Sequence, residues 1–578
     1  MKLRSSLIVL IVALTASPLC FAGGGARPER AEKGMVVSVH KLASQAGVDM
    51  MQAGGNAIDA AVATGFALAV VHPSAGNLGG GGFMLIRMND GATHFLDFRE
   101  KAPGRATATM YQDAQGKVIP NLSRLGYLAV GVPGSIKGMV EAQKKFGKLS
   151  LKQVVAPAIR FAKEGYILDW DDARSLTSDA GLAQFADSKR IFQNDGKGWK
   201  HGDRFRQPQL ARTLERIVAA PDDFYRGKMA REFAEFMQKG GGLITVEDMA
   251  NYEVKDRVPV RGTYRGLEVI SAPPPSSGGI ALMETLNILE GFDLAKAGFN
   301  SARSIHLVAE AYRRSFYDRA QFLGDPEFSS VPVLELADKK YATDWRQSIN
   351  EQQASPSTKL ERPATSAALK RYVEEHPIMP PGKEPTETTH YSIVDADGNA
   401  VAVTTTLNGN YGAKVAIGTL GFLLNNEMDD FAAKSGVPNM FGLIQGDENA
   451  VGPNKRPLSA MTPTIVLKEG KLWLVLGTPG GPTIITTVAN ILINVADFGL
   501  DIQQAVNAPR FHHQWLPDRI AMERNRFSPD TIALLQAAGH QVSFGLGGDG
   551  ECIQIDLQTG VRMGASDARN ESGRAVGY

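Results

Sequence analysis

Cysteine is nearly missing: only Cys20 and Cys552 occur in 578 residues. So few thiols exclude a disulfide-stapled scaffold, and no Cys-x-x-Cys or His-x-x-x-His spacing offers a metal site. His512 and His513 are adjacent, which on a strand turns them to opposite faces. Cys552 sits in the strand-like run 551–555 and reads as a small core hydrophobe rather than a nucleophile. An excess of one charge is also lacking, since 62 Lys and Arg face 61 Asp and Glu. That balance gives no electrostatic footprint for nucleic acid or an anionic membrane surface. No apolar run reaches the ~20 residues of a spanning helix, so no membrane anchor is expected. Aromatics are sparse at 7 % while glycines number 61. Tight turns and small-residue packing should therefore be common. With 43 % hydrophobic and 21 % charged positions, disordered, collagen-like and coiled-coil readings drop out.

What is present begins with an export signal. Lys2 and Arg4 form a basic start, residues 7–14 an apolar stretch closed by Ser17-Pro18, and Ala22 a small residue before three glycines. Removal of residues 1–22 is expected, which places the mature chain in the periplasm or outside the cell. Cys20 follows Pro18-Leu19, an unsuitable context for lipid attachment, so only Cys552 would remain after cleavage.

Along the chain, Asn56 should cap an Ala-rich helix over 57–71. The four glycines Gly79 to Gly82 follow that helix and precede a strand over 83–87, the reverse of a nucleotide-binding order. Asn89-Asp90-Gly91 should turn into a return strand over 93–98 that delivers Arg99 at its end. From spacing alone, Arg99 is a solvated strand end, an ion pair with Glu100, or a substrate clamp. Helical patterns cover 136–146, 151–165, 226–239 and 304–316, and 263–272 reads as one strand before the Pro273 to Gly279 loop. Residues 352–388 are rich in Pro, Glu, Lys and Thr and read as an exposed flexible segment. Beyond them lie strands over 388–394, 400–406, 465–466 and 472–476 and a helix over 484–496. Helices flanking strands on both sides predict layered α/β architecture.

The hairpin after residue 388 carries the most specific geometry. A three-residue loop, Ala396-Asp397-Gly398 with Gly398 left-handed, pairs residues whose numbers sum to 794 and sets Thr406 opposite Thr388. Cross-strand partners lie ~5 Å apart at Cβ, so the two hydroxyls can meet. Thr–Thr pairs are common in sheets, and the spacing alone decides nothing.

Longer motifs decide more. Thr388-Thr389-His390-Tyr391-Ser392, the run Leu423 to Phe431, Pro453 to Ser459, Gly477-Thr478-Pro479-Gly480-Gly481 and Gly564-Ala565-Ser566-Asp567 together resemble the γ-glutamyltransferases. Gly76 to Phe83, Asp97-Phe98-Arg99-Glu100 and Pro273 to Gly279 extend the likeness upstream, in order, over nearly all of the mature chain. The resemblance implies a four-layer αββα sandwich of the N-terminal-nucleophile hydrolase type. It implies self-cleavage between Glu387 and Thr388, giving a large subunit of residues 23–387 and a small catalytic subunit of residues 388–578 that stay together as a heterodimer. A Thr hydroxyl is a weak nucleophile, and a freed α-amine with reference pKa ~7.7–8.0 supplies its base in the same residue.

The same resemblance distributes the roles. Thr388 attacks the γ-carbonyl, Thr406 bonds its hydroxyl, and the Gly480 and Gly481 N–H groups form the oxyanion hole. Arg99 and Ser459 hold the substrate α-carboxylate; Asn408, Glu427 and Asp430 hold the α-ammonium. Substrates would be glutathione and other γ-glutamyl compounds, with water or amino acid or peptide acceptors, and no cofactor or metal is implied. Three positions depart from the bacterial pattern: Glu427 replaces Gln, Ala460 replaces a second carboxylate-binding Ser, and Phe441 replaces a lid Tyr that bonds Asn408. The lid loop 436–442 would then close less firmly. Pro482-Thr483 beside the oxyanion glycines is a further local difference. A related acylase, taking a glutaryl group on a β-lactam, shares the nucleophile, but Asp430 is wasted on a substrate without an α-amine. An unprocessed surface-binding relative is opposed by the intact Thr388, Thr406, Arg99 and Gly480-Gly481.

Overall fold

The computed structural model describes residues 26–363 and 388–578. The leader, Glu387 and most of the Pro-rich stretch lie outside the described residues. At the centre, Thr389–Val394 pairs antiparallel with Ala400–Thr406, with Thr389 opposite Thr405. This is the register expected from the loop, and Gly398 has the left-handed φ of 86° that the turn requires. Asp395 N–H donates to Asn399 O at 3.1 Å and closes it.

Two antiparallel seven-stranded sheets stack on this hairpin among the described residues. The first runs Arg574–Gly577, Met35–Ser38, Thr389–Val394, Ala400–Thr406, Gly81–Arg87, Thr93–Asp97 and Lys255–Arg257. The second runs Glu29–Ala31, Arg562–Ser566, Glu551–Ile555, Lys471–Leu476, Thr464–Lys468, Leu267–Ser271 and Val260–Tyr264. Alternation assigns the layers. Val36, Tyr391, Ile393, Val401 and Val403 join a core with the helices Lys41–Gln52 and Ala57–Val71. Their neighbours Met35, Val37, Ala400 and Ala402 face the second sheet, which is covered in turn by Gly278–Leu289, Ala302–Phe322 and Thr483–Ala496. The order is helix, sheet, sheet, helix, as the resemblance implied.

The helix Ala57–Val71 is buried at all fifteen positions, because helices as well as the sheet pack around it. Such a helix cannot rely on an amphipathic face, and its start is fixed by a capping box. Asn56 Oδ1 accepts from Ile58 N and Asp59 N, and Asp59 accepts from Asn56 N at 2.7 Å. Cys552 is a buried core residue, its thiol pushed up to about 12 by burial. No helix among the described residues is long and apolar enough to cross a membrane.

Two local readings are corrected. Residues 263–272 are not one strand: Val260–Tyr264 and Leu267–Ser271 form a hairpin, turned by Arg265 and Gly266 at φ 51° and 78°. An Arg in the left-handed region gives no sequence signal of a turn. The helix read over 226–239 is two, Asp223–Arg226 and Lys228–Lys239, because Gly227 leaves the helical region at φ −108°, ψ −144°.

Candidate active site

One cavity collects the residues named from the sequence. Thr388, Thr406, Arg99, Asn408, Glu427, Asp430, Ser459, Ala460, Phe441 and Gly481 all line it, and Gly480 is one peptide away. They come from distant parts of the chain, and each arrives for a local reason. Thr388 precedes the strand Thr389–Val394, and extending its register by one pair sets it beside Thr406. Arg99 follows the strand Thr93–Asp97 and is turned inward. Its backbone N–H donates to Asp97 Oδ1 at 2.9 Å, and its carbonyl accepts from the Tyr252 hydroxyl at 2.8 Å. Glu427 and Asp430 open and close a single 3₁₀ turn, where residues three apart eclipse and face one side. Ser459 is fixed by Ser459 N–H to Pro275 O at 2.9 Å and by the Ser277 hydroxyl on Ser459 O at 2.6 Å.

The electrostatics centre on Arg99, which is 1 % exposed. Its Nη1 bonds Glu427 and its Nη2 bonds Asp430, while Nε donates to Pro457 O at 3.2 Å. Burial alone would lower its pKa, but Glu427, Asp430 and Glu100 outweigh that and hold it above the ordinary range. Of the solvated-end and ion-pair readings, only the ion pair survives, and it is with three carboxylates rather than one. Glu100 is pushed up to about 7, by burial first and against the pull of Arg99. Burial also raises Glu427 well above the usual carboxylate range, with Glu100 and Asp430 adding and Arg99 opposing. Asp430 shifts upward through burial, against Arg99. Three carboxylates share too little positive charge, so the site favours an incoming cation or proton.

The same cavity is bordered by the segment Gly480-Gly481. Gly480 and Gly481 have φ of 135° and 56° and lead into the helix Thr483–Ala496. Their carbonyls are pinned by Thr483 N at 3.2 Å and Ile484 N at 3.1 Å. Neither amide N–H donates to any described residue, so two uncommitted donors stand at a helix N-terminus, where the dipole favours negative charge. A Cβ at Gly480 would lie 2.4 Å from Thr483 Oγ1, so this backbone demands glycine.

His390, two residues after Thr388, faces away from the cavity. Its ring lies against Gly477, with Nδ1 2.8 Å from Thr404 Oγ1 and Nε2 3.1 Å from Ser392 Oγ. Burial lowers its pKa to about 3, and no imidazole of the described residues lines the cavity.

The segment around Phe441 is seated by packing. Phe441 is buried among Phe316, Leu443, Ile485, Trp515 and Leu516. Asn408 Nδ2 donates to Asn426 O at 3.0 Å and reaches Met440 Sδ at 3.7 Å. Met440 N–H donates to Asp429 Oδ2 at 2.9 Å, and Phe441 O accepts from Gln514 at 3.3 Å. The closed cavity leaves only about 20 Å³, room for about one water.

Sequence reasoning missed Arg319, buried in the last turn of Ala302–Phe322, which lines the cavity and donates from Nε to Ser277 Oγ at 2.8 Å. Burial lowers its pKa to about 10, against the attraction of Asp430. An Arg in a helix's last turn reads as an ordinary complement to the helix dipole and gave no signal. A cluster of potential metal ligands exists elsewhere among the described residues, at His306, Glu310 and His540. Its donors are committed: His306 Nδ1 to His540 Nε2 at 2.8 Å, His306 Nε2 to Asn350 O at 2.8 Å, and Glu310 to Arg313 and Arg314.

A family model described as gamma-glutamyltranspeptidase matches residues 43–577. The glutathione hydrolase proenzyme of Escherichia coli (strain K12) is 49 % identical over 556 residues, 95 % of this chain and 93 % of that protein. Among solved structures, the cephalosporin acylase from Bacillus halodurans has a TM-score of 0.81 at 28 % identity, over 98 % of this chain and 99 % of the other. A Helicobacter pylori gamma-glutamyltranspeptidase chain has a TM-score of 0.56 at 45 % identity, over 57 % of this chain and 95 % of its own length.

Proposed function

Because the chain belongs to the gamma-glutamyltranspeptidase family, we propose that it hydrolyses glutathione and other γ-glutamyl compounds and transfers the γ-glutamyl group to amino acids or peptides. The observation that carries this reading is one cavity that brings Thr388 together with a charged cluster and the Gly480-Gly481 segment, whose amides donate to no described residue.

Maturation comes first. The Thr388 hydroxyl attacks the Glu387 carbonyl carbon, the peptide C–N bond breaks in favour of an ester, and water releases the ester. Residues 23–387 and 388–578 remain associated, since Thr389–Val394 pairs with Met35–Ser38 and Ala400–Thr406 pairs with Gly81–Arg87 across the cleavage point. The freed α-amine then serves as base for its own hydroxyl. That no imidazole of the described residues lines the cavity supports that assignment. The 57 % span of the Helicobacter pylori chain is what a separate large subunit would give.

Substrate binding follows from charge exchange. An α-amino acid head is a zwitterion. Its ammonium takes Glu427 and Asp430, with Asn408, and its carboxylate takes the Arg99 fork so released, with Ser459. Each buried charge keeps a partner throughout, which avoids the several-kcal/mol penalty of an unpaired one. Ala460 leaves that carboxylate one hydroxyl short. The γ-carbonyl then lies between Thr388 Oγ1 and the Gly480 and Gly481 amides. Attack forms a C–O bond and an oxyanion, and the amine passes the hydroxyl proton to the departing nitrogen as the C–N bond breaks. Water or an acceptor amine resolves the ester. Thr406 steers the Thr388 hydroxyl.

A glutaryl acylase is the second reading, given the structural likeness to the Bacillus halodurans acylase. Glu427 and Asp430 oppose it, because a glutaryl carboxylate taking Arg99 would leave both without their partner and brings no cation to replace it. The signal-like residues 1–22 support a periplasmic or secreted location. Incubation of the purified enzyme with glutathione, and separately with a glutaryl-β-lactam, tests the choice. Release of glutamate and cysteinylglycine is expected; preference for the glutaryl compound would overturn it.

A further inference from the structure

A second cavity, of about 270 Å³, adjoins the oxyanion segment. Thr483 lines it, and the Thr483 hydroxyl donates to Gly480 O at 2.8 Å, so one short segment walls both cavities. Gln514 lines it too and bonds the lid through Phe441 O. The loop carrying Gly545 and Leu546 forms another side, and a Cβ at neighbouring Gly548 would lie 3.3 Å from Pro479 O. The cavity is therefore at the reacting end of the γ-glutamyl group, beside the lid.

Its chemistry is distinctive. Arg519 is the one charged residue lining it. Among the described residues, no acceptor lies within hydrogen-bonding or ion-pair distance of the Arg519 guanidinium. His512 stays neutral near pH 7, its pKa lowered to about 4 by burial despite Gln514 and with Arg519 adding. Both its ring nitrogens are committed, Nδ1 to Thr486 Oγ1 at 2.8 Å and Nε2 to Gln514 Oε1 at 2.7 Å. Ser543 offers a hydroxyl, and Phe544, 43 % exposed, an apolar rim. A single uncommitted guanidinium over a small polar and apolar floor suits a ligand with one carboxylate. A second groove beside Asn426 and Met440 holds Arg124, but it abuts the ammonium-binding end, and its Lys414 is already paired with Asp179 at 2.5 Å.

We propose that the cavity lined by Arg519 binds the acceptor of the transfer reaction, an α-amine peptide whose C-terminal carboxylate pairs with Arg519. It equally receives the dipeptide that leaves glutathione. The proposal rests on the acyl-transfer reading. The acceptor amine's lone pair attacks the γ-carbonyl carbon of the Thr388 ester, forming the C–N bond. The C–Oγ bond then breaks, and the amine proton returns to Oγ through the Thr388 α-amine.

The test uses the mature enzyme, a γ-glutamyl anilide donor, and three acceptors: water, glycylglycine and glycylglycinamide. Wild type should have the lower KM for glycylglycine, because only it carries the carboxylate. In Arg519→Gln that KM should rise about tenfold, the value of a charge-assisted contact, until it matches the amide. Hydrolysis kcat and donor KM should stay within about twofold, and Arg519→Lys should restore part of the preference. The proposal is overturned if wild type does not distinguish the two acceptors, if Arg519→Gln keeps the preference, or if Arg124→Gln abolishes it instead. Failure of wild type to release the anilide at all would refute the acyl-transfer reading itself.

Discussion

Replacing Arg99 by Lys keeps the charge and removes the fork. In the structure Nη1 serves Glu427, Nη2 serves Asp430 and Nε serves Pro457 O at 3.2 Å. One ammonium on a flexible stem cannot span both carboxylates and the carbonyl, so at least one buried acceptor loses its donor. With substrate bound, the same change removes one of two parallel charge-assisted hydrogen bonds to the α-carboxylate. Such a bond contributes ~1.5–3 kcal/mol net, which is roughly a 10- to 150-fold loss in kcat/KM. The loss should fall mainly on KM, because the carboxylate contact is the same in ground and transition states. The assay is steady-state hydrolysis of a γ-glutamyl anilide, with denaturing gels and a thermal melt as controls on processing and folding. A kcat/KM within about threefold of wild type, in a fully processed variant, would refute the clamp and the charge-exchange argument with it.

Glu427→Gln tests the charged cluster by pH. Burial raises the carboxyls of Glu427 and Glu100, the latter to about 7, so on the acid side they hold protons and cannot pair with an ammonium. KM for glutathione should fall as pH rises through the range in which these raised carboxyls lose their protons, and the variant should flatten that slope; an unchanged slope would exclude Glu427. Phe441→Tyr adds a hydroxyl to the cavity that Asn408 also lines, and Asn408 now has Met440 Sδ at 3.7 Å. The gain should be at most ~1 kcal/mol, so the ratio of transfer to hydrolysis should rise about fivefold or less. An identical ratio in an acceptor titration would remove Phe441 from the lid's closing contacts. Gly480→Ala forces a Cβ to within 2.4 Å of Thr483 Oγ1. Displacing that amide should lower kcat by roughly 10²–10³ with a smaller effect on KM, and an unaltered kcat would place the oxyanion elsewhere.

Elements whose cause is local were legible in the sequence. Asn56 and Asp59 announce a capped helix, and the Asp395 to Gly398 turn fixes a register that sets Thr389 on Thr405. The strand at 263–272 was misread because its turn depends on Arg265 entering a region where Arg gives no cue. The site residues became legible through long motifs rather than spacing: on spacing alone Arg99 was as readily a solvated end. What stayed hidden was contact between distant segments. Arg319 meets Ser277 across 42 positions, and Glu100 becomes part of a triple carboxylate only when residues 427–430 arrive. Burial made the difference, since it turns an ordinary Glu into a group that titrates near 7.

The central claim is that Thr388 becomes the first residue of a separate chain and so gains its own base. Intact mass and N-terminal sequencing of the exported protein test it directly. Two polypeptides are expected, the smaller beginning at Thr388, together with hydrolysis of glutathione. Thr388→Ala should give a single inactive chain, and Thr388→Ser a processed and slower enzyme. A smaller chain beginning anywhere other than Thr388, or normal processing of Thr388→Ala, would contradict the account.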